Sequence, residues 1–293
     1  MRFGLHIKIG GGLGAAAEYA AEIGCETMQI FAGNPNAWNP GKLDLIGAQK
    51  FRESIERSGI SPVVIHTQYL VNMAAPDPEI FLKSTNSVLE ALRRANTLGA
   101  QYVVTHIGSH KGAGFEQGLE LVRQSISAAL SQADNDVVLL LENSAGAGGS
   151  LGTTFENLHA ILAGLPEVSE RLGILLDTAH TYAAGYDLSS VQAVETTLQA
   201  FDTIVGLDRL KAMHLNDTPS ALGSYRDRHA NAGAGNIGEL GFRALIHHPA
   251  LKDIPGIIET PRHAEKALDD LMIVKQWRSD PKVQSLLRQL LER

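Results

Sequence analysis

Residues 62–106 read PVVIHTQYLVNMAAPDPEIFLKSTNSVLEALRRANTLGAQYVVTH. The segment opens and closes on short β-branched runs, PVVIH (62–66) and YVVTH (102–106), and each run ends in histidine. Between them, EIFLKSTNSVLEALRRANTLG (79–99) is amphipathic at helical spacing, with Gly99 as its stop signal. Both runs are apolar at nearly every position, as strands buried on two faces are. Working outward, the same unit recurs. FGLHI (3–7), TMQIF (27–31), VVLLLE (137–142), GILLD (173–177), KAMHL (211–215) and GIIE (256–259) complete a set of eight candidate strands, spaced by 25 to 45 residues, enough for one helix per gap. Eight consecutive βα units predict an α/β fold, a single (β/α)8 TIM barrel with its active site at the C-terminal ends of the strands. The rival on pattern alone is a doubly wound open sheet.

Size and composition agree with one such domain over residues 1–293. Apolar residues make up 44% and charged residues 19%, which disfavours disorder. No apolar run approaches the ~18 residues of a membrane span. The opening MRFGLHIKIGGG has no long apolar core, so no secretory signal is expected. Cys25 is the only cysteine, which excludes an intrachain disulfide and favours the cytoplasm. The formal net charge of −7 argues against a broad polyanion-binding coat. It does not exclude an enzyme acting on nucleic acid, because bound cations and a local basic rim offset a negative total. No feature signals an oligomer, so a monomer is expected.

The candidate strands end in His66, His106, Glu142, Asp177, His214 and Glu259. In a barrel these ends converge on the catalytic face. Three carboxylates in one mouth need a counter-charge, and few basic residues end strands here, so a cation is the natural answer. Two local clusters extend the set: Asp177 and His180 in DTAH, and Asp227 and His229 in DRH, whose two-residue spacing puts both side chains on one side of an extended backbone. The nine candidate ligands fit three metals, one carboxylate bridging, better than one metal. Imidazole with carboxylate suits Zn²⁺, then Mn²⁺. Taken singly, each residue has an ordinary reading. A histidine at a strand end is commonly a hydrogen-bonded core or loop residue, Glu142 or Asp177 alone could cap the next helix, and DRH is a common surface pattern. Convergence on one face is what points to chemistry. Of the other histidines, His6 is expected to line the mouth without ligating, and His110 is open. His159, His247, His248 and His263 read as surface. GGGLG (10–14) and GAGGSLG (146–152) fit no nucleotide-loop pattern and read as tight mouth loops. GSYRDRHANAGAGNIG (223–238) is a polar loop whose Arg226 and Arg228 could reach a substrate phosphate.

Over almost its whole length the chain resembles the endonuclease IV family of apurinic/apyrimidinic endonucleases (AP endonuclease family 2). The resemblance rests on LENSAGAGGSLG (141–152), LLDTAHTYAAGYDL (175–188), MHLNDTPSALGSYRDRHANAGAGNIG (213–238) and IIET (257–260), with HTQYLVNMAAPD (66–77) and THIGSHKGAG (105–114). It implies three zinc ions. One would take His66, His106 and Glu142. A second would take Glu142 as bridge with Asp177, His214 and Glu259. The third would take His180, Asp227 and His229. It further implies hydrolysis of the phosphodiester 5′ to abasic sites in duplex DNA, leaving a 3′-hydroxyl and a 5′-deoxyribose phosphate, with removal of blocked 3′ ends as a side activity. Glu142 and Glu259 would be the catalytic carboxylates. Tyr69 matches a residue that enters the DNA, and Trp38 is kept. Asn36 stands where a basic residue is usual, Thr67 where Asp is frequent, and Ala234 where a charged residue is common. These departures touch DNA grip and support rather than the ligands. Two rivals are a one-metal sugar isomerase or epimerase, which would have little use for His180, Asp227 and His229, and a non-catalytic protein that holds damaged DNA.

Overall fold

The computed structural model describes residues 1–259 and 264–280. Eight parallel strands follow one another around a closed barrel: β1 (Arg2–His6), β2 (Thr27–Phe31), β3 (Val63–His66), β4 (Tyr102–His106), β5 (Val138–Glu142), β6 (Leu172–Asp177), β7 (Leu210–His214) and β8 (Pro255–Ile258). Closure is made by β1 on β8, with Arg2 opposite Pro255 and Leu5 opposite Ile258, which removes the open-sheet alternative. Helices α1 (Leu13–Glu22), α2 (Leu45–Ser58), α3 (Pro78–Leu98), α4 (Phe115–Ala133), α5 (Phe155–Ala163), α6 (Thr178–Ala183), α7 (Val191–Ile204), α8 (Gly238–His247) and α9 (Ala264–Ser279) alternate with the strands, α6 and α7 both falling between β6 and β7. No helix among the described residues is long and apolar enough to cross a membrane.

Strand alternation divides the core in two. Outward-facing residues such as Ile65, Val103, Leu139, Leu141, Ile174 and Met213 join the large cluster between barrel and helices. Val64, Val104, Leu140, Leu175, Ala212 and Ile257 form a separate, fully buried cluster, the floor inside the barrel. Two positions on from each floor residue, on the same inward face, stand His66, His106, Glu142, Asp177, His214 and Glu259. The polar ring therefore lies one layer above an apolar plug.

Local signals set the ends of α3, and Gly99 stops it as read. In α3, Asp77 accepts from the backbone N–H groups of Glu79 and Ile80, Pro78 opens the first turn, and Gly99 closes the helix in the left-handed region at φ 70°. β1 and β2 approach closely at Gly4. A Cβ on Gly4 would stand 1.7 Å from the Thr27 carbonyl oxygen. Backbone, not a movable side chain, occupies that space. Gly4→Ala is therefore expected to lower stability by about 2–3 kcal/mol. A urea titration with a lower midpoint and unchanged slope is the expected result. A wild-type midpoint would contradict so close an approach.

Candidate metal centre at the barrel mouth

The ring residues fall into three overlapping groups whose donor atoms lie within 4.8 Å of one another: His66, His106 and Glu142; Glu142, Asp177, His214 and Glu259; and Asp177, His180 and His229. Glu142 is 1% exposed and faces two ways. Its Oε2 is 3.4 Å from His66 Nε2 and 3.3 Å from His106 Nδ1. Its Oε1 is 3.2 Å from His214 Nδ1. The carboxylate thus stands between the first two groups, where a bridge is expected. Asp227 joins the third group from the loop after β7, with Oδ2 3.4 Å from His180 Nε2 and Oδ1 3.2 Å from His229 Nε2. All nine residues singled out from the sequence are brought together here. Asp177 touches the third group as well as the second, with Oδ2 3.7 Å from both His214 Nδ1 and His229 Nε2.

The spacing in DTAH has a structural cause. Asp177 is the N-cap of α6, and its Oδ1 accepts the His180 backbone N–H at 2.9 Å. Oδ2 is left to face the mouth. Capping and mouth-lining, alternatives in the sequence, are performed by different oxygens of one side chain. Each inner histidine has its second nitrogen tied off. His66 Nδ1 donates to the Thr67 carbonyl at 2.7 Å, and His180 Nδ1 to the Asn143 carbonyl at 2.9 Å. His214 Nε2 donates to Gln29 Oε1 at 2.8 Å. The free nitrogen is thereby aimed at the carboxylates, as ligating imidazoles require.

Three supporting residues escaped the sequence reading. Gln29 is fully buried, and its Nε2 donates to Glu259 Oε1 at 2.7 Å. Asn216 Nδ2 donates to Asp177 Oδ2 at 2.6 Å, while its Oδ1 accepts the Glu259 N–H at 3.0 Å. Asn143 Oδ1 accepts the Asp177 N–H at 2.7 Å. Only Gln29 carried a legible signal: it is a polar residue within the otherwise apolar core of a buried strand.

The charges hold one another in place. Burial opposes ionisation of Glu142 most strongly, but His106, His214 and His66 together hold its carboxyl well below the usual range. Burial likewise opposes Glu259, which His214 and His6 pull down. Close contacts with His180 and His229 hold Asp227 low. Burial alone would lower the histidines, yet Glu259, Glu142 and Asp177 push His214 up to about 9, and Asp177, Asp227 and Glu142 raise His180. His6 and His106 move the other way, because burial outweighs their carboxylate neighbours. Two buried donor atoms, Glu142 Oε2 and His229 Nε2, have no hydrogen-bond partner. Orphaned atoms are rare in a native interior, and a coordinated cation satisfies both. Mixed imidazole and carboxylate donors with free atoms facing a shared space fit divalent metal ions.

Around the ring the mouth opens into a cavity of about 670 Å³ lined also by His6, Lys8, Phe31, Asn36 and Tyr69. Tyr69 is 59% exposed and packs edge-on to Phe31, ring centroids 5.0 Å apart. Trp38, on the same loop as Asn36, instead lines a separate groove of about 800 Å³ beside α3, with Lys83 5.9 Å from its ring. Arg228 and Arg226 are exposed, and Arg228 donates to the Asp227 carbonyl. His6 lines the mouth as expected, with Nδ1 3.2 Å from Glu259. His110 resolves as a loop residue whose Nδ1 accepts from the Gly112 and Gly114 N–H groups. His159 is exposed, and His247 and His248 are tied to Trp277 and Glu195 away from the mouth. His263 and Thr260 lie outside the described residues. Thr67 turns from the mouth and donates its hydroxyl to Thr105 at 2.8 Å.

Comparison with known proteins agrees with this architecture. A family profile described as "Xylose isomerase-like TIM barrel" matches residues 17–278. A "Probable endonuclease 4" from Methanoculleus marisnigri is 46% identical over 259 residues, covering 88% of this chain and 92% of the relative. One from Halothermothrix orenii is 41% identical over 269 residues, covering 92% and 96%. The crystal structure of endonuclease IV from Thermus thermophilus superposes with a TM-score of 0.85 at 38% identity, covering 94% of this chain and 98% of that one. Identity at this level over nearly the full length of both partners carries more than a shared barrel: the chain belongs to the endonuclease IV family and is an AP endonuclease.

Proposed function

We propose that the chain, as a single-domain cytoplasmic monomer, binds three zinc ions in its mouth and hydrolyses the phosphodiester 5′ to abasic sites in duplex DNA. A 3′-hydroxyl and a 5′-deoxyribose phosphate would result, and blocked 3′ ends would be trimmed by the same chemistry. The observation that carries the reading is the third group. His180 and His229 stand with Asp177, and Asp227 reaches them from a loop. A sugar isomerase with one metal would have no need of it.

His66, His106 and Glu142 would hold one ion, Glu142, Asp177, His214 and Glu259 the second, and His180, Asp227 and His229 the third, with Mn²⁺ as an alternative at one or more sites. Bound zinc supplies Lewis acidity, lowering the pKa of water and neutralising phosphate charge. The protein's own share is orientation. Gln29 and Asn216 fix the two oxygens of Glu259, a carboxylate that lines the open cavity, where it can orient the attacking water. Glu142 keeps two groups at bridging distance. Asn36 and Tyr69 stand on the cavity rim, where an unstacked abasic sugar leaves a gap, and a missing base makes that extrusion cheap. Trp38, set in the outer groove, would act from outside the gap, and Arg228 would grip backbone phosphate.

A duplex carrying one tetrahydrofuran lesion tests the reaction, since that analogue cannot undergo β-elimination. Protein with about three metals per chain is expected to nick it on the 5′ side, and to lose the activity on chelation. Metal-loaded protein that leaves it intact would overturn the proposal. A count near one per chain would favour the sugar-metabolising rival, and lesion binding without cleavage the passive binder.

Metal uptake is also expected to release protons. In the metal-free protein His214, at about 9, carries a proton at pH 7, and so does the raised His180. A ligating imidazole must be neutral, so zinc expels those protons at pH 7 and binds more tightly as pH rises toward 9, where His214 has begun to deprotonate unaided. Calorimetric heats that depend on buffer ionisation enthalpy at pH 7 are the expected signature, and buffer-independent heats would contradict it.

Tyr69→Ala removes the exposed ring without touching a ligand. Stacking losses of about 1–3 kcal/mol predict binding of lesion duplex weaker by roughly tenfold or more. Unchanged affinity in a gel-shift titration would remove Tyr69 from the DNA contact.

A further inference from the structure

The loop between β2 and α2 walls one side of the mouth cavity through Pro35 and Asn36. It is long and polar, yet it is tied at its foot by one side chain from a different element. Arg94, on α3, is only 7% exposed. Its Nη1 donates to the Ala32 carbonyl at 2.6 Å, where the loop leaves β2, and its Nη2 donates to the Gly41 carbonyl, where the loop returns. Nε donates to Glu90 Oε1 at 2.7 Å, which holds the fork's orientation. The two limbs are pinched between these anchors. The Asn34 N–H reaches the Pro40 carbonyl at 3.4 Å, and a Cβ on Gly33 would lie 2.5 Å from that oxygen and 3.0 Å from Arg94 Nη1. From the closed loop the Pro35 carbonyl accepts the Tyr69 N–H at 3.1 Å, linking both rim residues to one clamp. Between the loop foot and His66 of β3, the void that Arg94 borders is only about 20 Å³.

We infer that Arg94 is a positioning residue for substrate binding: its fork closes the 32–41 loop so that Asn36 and Tyr69 stand ready on the rim before DNA arrives. The inference rests on the reading of the mouth as a DNA site. Pre-ordering a loop removes an entropy cost from binding, so its loss weakens affinity and spares the chemical step. A guanidinium is needed because two carbonyls on separate limbs must be reached by one planar group; an ammonium is a point donor.

Arg94→Lys keeps the buried charge and loses the fork. Gly33→Ala forces the limbs apart and leaves the charge alone. Each is expected to raise Kd for the tetrahydrofuran duplex about tenfold, to leave kcat at saturating DNA within twofold, and to increase acrylamide quenching of Trp38. A cycle of Arg94→Lys with Asn36→Ala should be non-additive, the double variant binding no more weakly than Arg94→Lys alone. Unchanged Kd, a matching fall in kcat, or additive losses would overturn the inference. Failure of the wild-type protein to nick the duplex would instead overturn the underlying reading, and this inference with it. The quenching comparison still reports on the clamp in that case.

Discussion

The two-residue repeat of an extended strand is the constraint on which the site depends. In six successive strands an apolar residue points into the barrel, and the residue two further on points the same way from one layer higher. Closure then converts six separate strand ends into a ring. No single strand carries a site. Val64 with His66 or Leu140 with Glu142 is only a strand with a polar end until β1 pairs with β8. The floor does a second job. By filling the barrel beneath the ring it keeps water from one side, so every charge above it acts in a medium of reduced dielectric.

That low dielectric makes the ring costly unless its charges match. Glu142, Asp177 and His214 are essentially inaccessible to water. Isolated carboxylates there would take up protons. Glu142 stays ionised because His106, His214 and His66 face it, and His214 and His180 are raised because carboxylates surround them. The arrangement is a set of negative charges whose partners are exchangeable. With their other nitrogens engaged by Thr67, Asn143 and Gln29, the remaining nitrogens of His66, His180 and His214 are already turned toward the shared space. Replacing protons with divalent cations requires no rotation of a ring. The orphaned atoms Glu142 Oε2 and His229 Nε2 mark where protons alone leave the network incomplete.

Much of this was legible in the chain, for a physical reason. A strand buried on both faces has few polar residues, so a histidine or carboxylate at its end stands out against the run before it. The end of α3 was legible because its stop signal, Gly99, is local, whereas the Asp77 cap at its start was not read. What stayed hidden were partnerships made in space. Asn143 and Asn216 sit in the loops beyond β5 and β7, and nothing in their neighbourhoods announces that each reaches Asp177. Nor does sequence spacing reveal that Asp177 belongs to two groups, since that depends on which oxygen the α6 cap uses. Trp38 shows the limit of reading by proximity: two residues from Asn36, it faces a different cavity because the loop turns between them.

The loop that delivers Asp227 and His229 poses the sharpest problem of order, because its tip is exposed and its returning limb is rich in glycine. A flexible donor pair would lose affinity to entropy each time it closed on a cation. The structure removes that cost at the base of the loop. Asp217 is fully buried, and its two oxygens accept N–H groups from Thr218, Gly235, Ile237 and Gly238, at 2.8 to 3.2 Å. A Cβ on Gly235 would lie 2.4 Å from the Asp217 carboxylate, so the glycine is what lets that backbone approach. From the other side, Asp270 of α9 receives the Asn231 side-chain amide and the Ala232 N–H. Between these two anchors the DRH segment spans a fixed gap. Its two donors therefore converge on His180 as products of the scaffold. The loop-borne half of the third group, Asp227 and His229, is thus built to the same standard as the strand ends.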